Sequence, residues 1–175
     1  MSGFRRTGTA LALAVIGVGG LTACTVEERP VTGSSVRAAN TADAPRRQII
    51  QPEGVARLPV FSSAVRTGDL IVLSGALGAL PGVNPPQLVE GGIEAETRQT
   101  MENIIAVLDA AGATLEDLVK CTVFLASIDD YAAMNSVYVQ YFPSDPPARS
   151  AVAGSGLALG ALVEIECIAV APEGS

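Results

Sequence analysis

The sequence predicts an α+β fold, a mixed sheet with two helices packed on one face. Three observations predict it. Two stretches, 93–111 and 129–142, place apolar residues at helical spacing. Short runs of β-forming residues lie before, between and after them. The last run, 162–170, alternates strictly, with Val163, Ile165, Cys167 and Ala169 on one face. The length of 175 residues favours one folded domain. With 49% apolar and 17% charged residues, the chain is composed to bury a core rather than remain disordered.

The chain begins with a targeting pattern. Arg5 and Arg6 precede the apolar run Leu11–Gly20, and Leu21-Thr22-Ala23-Cys24 follows. That run is too short to span a bilayer, which needs about 20 apolar residues, but it suits a secretory signal. Leu-Thr-Ala-Cys resembles a bacterial lipobox, so Cys24 is the expected site of lipidation and the mature N-terminus. Thr25 after the cysteine, rather than Asp, points by analogy with bacterial sorting to the periplasmic face of the outer membrane. The expected organisation is a signal peptide at 1–23, a flexible tether at 24–47 and a folded domain at 48–172. The tether is rich in Thr, Ser, Ala, Pro and charge and has no periodicity.

The domain opens with two strands, Phe61–Val65 and Asp69–Ser74, joined through Thr67-Gly68-Asp69 as a hairpin. Leu80–Gly92 is punctuated by glycine and proline and reads as a loop. The first helix shows the stripe Thr97, Met101, Ile104, Ile105 and Leu108, with Glu94 near its start and Gly112 at its end. The next strand, Leu118–Ala126, is expected to turn Val119, Cys121, Val123 and Leu125 to one face. Asp129 or Asp130 caps the second helix, which carries Tyr131, Met134, Val137, Tyr138 and Tyr141 and stops before Pro143. Two strands, Arg149–Ala153 and Leu162–Val170, close the chain. The second face of the last strand mixes Leu162, Ile168 and Val170 with Glu164 and Glu166. No third layer in this chain is available to cover it, so it is expected to pack on another subunit.

Composition excludes several chemistries. There is no histidine, which removes Ser-His-Asp and Cys-His nucleophile systems and HExxH zinc sites. A net charge of −7 argues against a basic nucleic-acid surface. No tryptophan is present for stacking bases or sugars. No cluster of His, Cys and acids suggests a metal, and no glycine-rich loop has nucleotide-binding spacing. Cys121 and Cys167 each lie in an apolar run and are expected to be buried free thiols. A bridge between them is the alternative that an exported compartment permits.

The polar residues with the most chemical promise are Arg149, Glu164 and Glu166. Arg149 is the only cation after Lys120 and stands at a strand start in Pro-Pro-Ala-Arg-Ser. Taken alone it reads equally as a surface cation and as a bidentate clamp for a carboxylate. Glu164 and Glu166 read either as solvated rim charges or as acid/base carboxylates on an apolar face.

Six stretches carry a family resemblance. They are Ala64–Gly75 (AVRTGDLIVLSG), Ile93–Asn103 (IEAETRQTMEN), Val119–Leu125, Met134–Tyr138 (MNSVY), Pro147–Ser150 (PARS) and Val163–Val170. Together they resemble the reactive-intermediate deaminase (Rid, YjgF-like) family over nearly all of the expected domain. The resemblance implies a chorismate-mutase-like fold and a homotrimer with sites in clefts between subunits. It implies hydrolysis of small 2-enamine or 2-imine acids to 2-keto acids and ammonia, without a cofactor. It assigns Arg149 to the substrate carboxylate and Glu164 to the attacking water. Gly75, Ala151, Phe61 and Asn135 match positions lining the site. Two departures stand out: Phe61 replaces a tyrosine, and Ala76 replaces the glutamine of Ser-Gly-Gln. They leave open a non-catalytic carboxylate-binding or protein-interaction module on the same trimer.

Overall fold

The computed structural model describes residues 47–53, 55 and 59–172. The lipobox, Cys24 and nearly all of the tether lie outside them. The described chain runs β1 (Gln48–Ile50), β2 (Ala64–Thr67), β3 (Leu70–Leu73), β4 (Ala76–Leu77), α1 (Gly92–Ala111), β5 (Leu118–Leu125), α2 (Tyr131–Tyr138), β6 (Ala148–Ala153) and β7 (Val163–Val170). One sheet takes the order β1-β2-β3-β7-β5-β6, and β4 also pairs with β7. All pairs are antiparallel except β5–β6. The parallel pair follows from α2, which is the crossover between its strands. The α+β mixed sheet with two helices is as the sequence predicts.

The β2–β3 hairpin turns at Gly68 and Asp69, because Thr67 pairs with Leu70 and Gly68 takes φ 57°. Phe61–Ser63 stay outside the strand expected there. β1 and β4, three and two residues long, are too short to leave a periodicity in the sequence. In α1, Thr97, Met101, Ile104 and Leu108 are buried, as the stripe predicts, and Thr100 and Glu96 join them. Gly112, at φ 72°, ends the helix by donating to Asp109. Asp130 is the N-cap residue of α2, as expected, but its side chain makes no capping hydrogen bond; Ser127 caps the 3-10 turn Ile128–Asp130 just ahead, accepting from the Asp129 amide.

β5 differs from expectation at its start. Leu118 pairs with Ala169 and Lys120 with Ile168, so Val119 is an extra residue in a bulge. Leu118 turns into the core and Val119 is 47% exposed. From Cys121 onward the alternation holds, and Cys121, Val123 and Leu125 are buried.

The cysteines correct a second expectation. Cys121 and Cys167 form a disulfide rather than free thiols. They are register partners on adjacent antiparallel strands, and both face the helices. Directly opposed residues bring their Cβ atoms close enough for a bond. In the chain-entropy account, a link across 46 residues stabilises by about 4 kcal/mol.

The core lies between the sheet and the helices. Ile71, Met101, Ile104, Leu108, Met134 and Ile165 are fully buried there. Each contributes about 1.5–3 kcal/mol by leaving water. The opposite sheet face has no such cover within the described chain. Leu70, Val72, Val152 and Val170 are 40–48% exposed on it. Glu164 and Glu166 sit on this same face, beside Phe124 and Thr122.

Candidate active site

Arg149 is the second residue of β6 and stands in register with Cys121, on the helix-facing side. There α2 holds it. Its Nη2 donates to Asn135 Oδ1 at 2.7 Å and to the Tyr131 hydroxyl at 3.1 Å. The guanidinium lies over the Tyr138 ring, 4.6 Å from its centroid, and 5.8 Å from that of Tyr131. Cation–π packing of this kind stabilises the charge and fixes the plane of the fork. Both hydrogen bonds use Nη2. Among the described residues Nε and Nη1 have no hydrogen-bond partner, so part of the guanidinium remains free to donate to an anion. A cleft of about 260 Å³ opens beside it, lined also by Tyr138, Phe142 and Pro147.

Tyr138 is 3% exposed and its hydroxyl has no hydrogen-bond partner among the described residues. Burial pushes that hydroxyl up to about 12, against the opposing pull of Arg149. The phenol is therefore neutral at physiological pH, and it leaves the arginine charge unbalanced for an incoming anion.

Glu164 lies in β7, opposite Phe124 of β5 and Leu77 of β4. Its carboxylate occupies the space that a side chain at Gly75 would fill. A Cβ built there would collide with a carboxylate oxygen and stand 2.8 Å from the carboxylate carbon. Gly75 thus leaves room for the acid in this position and puts bare backbone against it. Beyond Gly75 is a second cavity of about 210 Å³, and Phe61 forms part of its wall.

The structure therefore gathers the expected residues into two groups. Arg149 and Asn135 share one cleft. Gly75 touches Glu164 and shares the other cavity with Phe61. Ala151 joins neither; it packs against the core from β6. Arg149 and Glu164 lie on opposite faces of the sheet. Arg149, Cys121 and Cys167 share one row and face, and Glu164 is three residues from Cys167. An odd offset along an unbroken register places the two side chains on opposite sides. Two strand spacings, about 10 Å in all, also separate their strands. One copy of the chain does not bring this pair to a common substrate.

Sequence reasoning missed Tyr131 and Tyr138 as site residues and read them only as members of an apolar stripe. A usable signal was present, since Tyr131, Asn135 and Tyr138 are spaced i, i+4 and i+7 and share one helix face. Among the described residues, no group of three or more His, Cys, Asp or Glu side chains could hold a metal ion.

Known proteins share this architecture. The model of the family described as Endoribonuclease L-PSP matches residues 53–171. A 2-iminobutanoate/2-iminopropanoate deaminase of the goat, Capra hircus, is 44% identical over 125 residues, covering 71% of this chain and 90% of that protein. The crystal structure of RidA from an Antarctic Psychrobacter matches with TM-score 0.65 and 38% identity, over 70% of this chain and 98% of its own. The YjgF gene product of E. coli matches with TM-score 0.64 and 30% identity, over 70% and 98%. The family match takes in both helices and every strand but the first, and the chain belongs to the Rid/YjgF/L-PSP family.

Proposed function

We propose that this protein is a hydrolytic deaminase of reactive 2-enamine and 2-imine acids, acting as a homotrimer whose sites lie between subunits. The observation that carries the reading is the division of the site. A prepared carboxylate clamp, Arg149, and a prepared acid/base, Glu164, occupy opposite faces of one sheet. Two copies supply both to one substrate, the clamp from one protomer and the acid from its neighbour. The exposed apolar face bearing Glu164 supports such an assembly. The goat relative is named for the same reaction class.

In this reading the substrate carboxylate takes the free donors of the Arg149 guanidinium, fixing the imine carbon near Glu164 of the neighbouring protomer. Glu164 accepts a proton from water as its oxygen bonds to that carbon and the C=N bond becomes C–N. The nitrogen takes the proton held by Glu164, giving a carbinolamine; Glu164 then removes the hydroxyl proton as C=O forms and passes it to the nitrogen, which leaves as ammonia. An enamine first gains a proton at carbon and loses one from nitrogen to become the imine. Positioning the reactants supplies much of the acceleration, and proton transfer supplies the rest. Phe61, which offers no hydroxyl to the cavity, is the feature that favours the alternative of a carboxylate-binding module.

The test is complementation. Arg149→Ala and Glu164→Gln chains, each nearly inactive alone, are co-expressed with different tags and purified as mixed oligomers. With random mixing, a quarter of the between-subunit sites contain both wild-type residues. About a quarter of wild-type imine turnover is expected to return. Mixed oligomers no more active than the parents would sink the shared-site reading.

The same proposal places the enzyme outside the cytoplasm, anchored through lipid on Cys24 at the periplasmic face of the outer membrane. The Cys121–Cys167 disulfide supports this, because such bonds persist in oxidising compartments. Intact-mass analysis of membrane-extracted protein is expected to find a diacylglyceryl-modified Cys24 at the N-terminus. An unmodified Cys24 overturns the assignment.

A further inference from the structure

The cavity beyond Gly75 has a character that the reaction itself does not require. Its walls include Phe61, Leu77, Leu80, Val83, Val107 and Leu159. No charged side chain lines it among the described residues. Four polar side chains do, and each is already hydrogen-bonded within the chain. Ser74 donates to the Ser62 carbonyl at 2.7 Å, and Ser63 donates to Gln51 at 3.4 Å. Gln51 donates to the Val55 carbonyl at 3.0 Å. Asn103 donates to the carbonyls of Leu77 and Ala79, both at 2.8 Å. A polar ligand group entering this space would give up water for partners that are already engaged. An apolar group would lose nothing.

Position gives the cavity a role. Gly75 is one of its lining residues, and the Glu164 carboxylate lies against that same residue. The Arg149 cleft, about 260 Å³ and walled by Asn135, Tyr138, Val139, Phe142 and two prolines, holds the carboxylate end in this reading. A 2-imino acid has three ends: carboxylate, imine and side chain. With the first on Arg149 and the second at Glu164, the third is left for the 210 Å³ cavity.

We infer that this cavity is the side-chain pocket of the site, and that it selects 2-imino acids with extended aliphatic side chains over those with a methyl or a polar side chain. The inference rests on the deaminase reading and adds the substrate class. At 210 Å³ the space exceeds what a methyl or ethyl group fills. Each further methylene taken from water into such a pocket is worth about fourfold in kcat/KM.

The experiment compares imines generated in situ from alanine, 2-aminobutyrate, norvaline, leucine and glutamine, reading keto-acid release. kcat/KM is expected to rise about fourfold per methylene, hence roughly fifteenfold from the alanine- to the norvaline-derived imine. The glutamine-derived imine is expected to fall below the norvaline-derived one despite its greater length. Val107→Phe fills the pocket from α1 and is expected to bring the norvaline-to-alanine ratio close to one. Leu159→Ala, at the 59% exposed rim, is a second variant that leaves the core intact and is expected to lower the ratio about threefold. A wild type that turns over the alanine-derived imine with a flat or falling series overturns the pocket assignment and leaves the deaminase reading standing. An enzyme inert toward all five overturns the deaminase reading, and the pocket assignment with it.

Discussion

Replacing Glu164 with glutamine is expected to lower kcat by about 10²–10⁴ and to leave KM nearly unchanged. Glutamine keeps the shape of the side chain. It therefore fits the space beneath Gly75 as the carboxylate does, and the fold and the substrate-binding groups are retained. What it loses is the capacity to take a proton from water at the moment of attack. That capacity matters in the transition state and not in the bound ground state, so the loss falls on kcat. Glu166 provides the control. It lies on the same strand and face, two residues along, but it pairs with Thr122 rather than with the Gly75 side of the sheet. Glu166→Gln is expected to cost much less. Steady-state kinetics on a freshly generated 2-imino acid decide the matter. Equal damage from the two substitutions would mean that Glu164 is not the acid/base residue.

That control depends on which strand neighbours are known, and this marks where sequence reasoning stopped. The alternation of β7 was legible because a period of two survives in eight residues. Val163, Ile165, Cys167 and Ala169 are buried as read, and the glutamates stand on the other face. The α1 stripe was legible for the same reason at a longer period. Pairing between strands leaves no such trace. Nothing within either cysteine's own run reveals that β5 and β7 are adjacent and in register at those residues, so the disulfide was read as two thiols. Val119 was misplaced because a bulge shifts the alternation by one residue without changing composition. At the site, the resemblance marked Arg149, Asn135, Gly75 and Glu164. It did not show that Tyr131 and Tyr138 both contact the arginine, since aromatic residues on a helix face read first as core. Tyr138 is both: it is buried against the core and it carries the guanidinium.

Replacing Arg149 with alanine is expected to reduce kcat/KM by about 2–4 kcal/mol, roughly 30- to 1,000-fold, mainly through KM. The clamp contacts the carboxylate, which does not change during the reaction. It stabilises the ground state and transition state alike, so its removal weakens binding more than turnover. Lysine is expected to restore only a small part. It keeps the charge but offers no two-donor edge, and it does not reproduce the planar contact with Tyr138 or the paired bonds from Nη2. Asn135→Ala separates orientation from charge. The guanidinium remains, but its 2.7 Å anchor is gone. KM is expected to rise by about tenfold, with kcat little altered, because the cost of one charge-assisted hydrogen bond is about 1.5 kcal/mol. Neither change is expected to unfold the protein, because Arg149 is only half-buried and water can reach the groups it leaves behind. Denaturation midpoints within about 1 kcal/mol of wild type check this point. Unchanged KM in Arg149→Ala, with the fold intact, would place the carboxylate elsewhere. The free Nε and Nη1 donors would then serve some other anion.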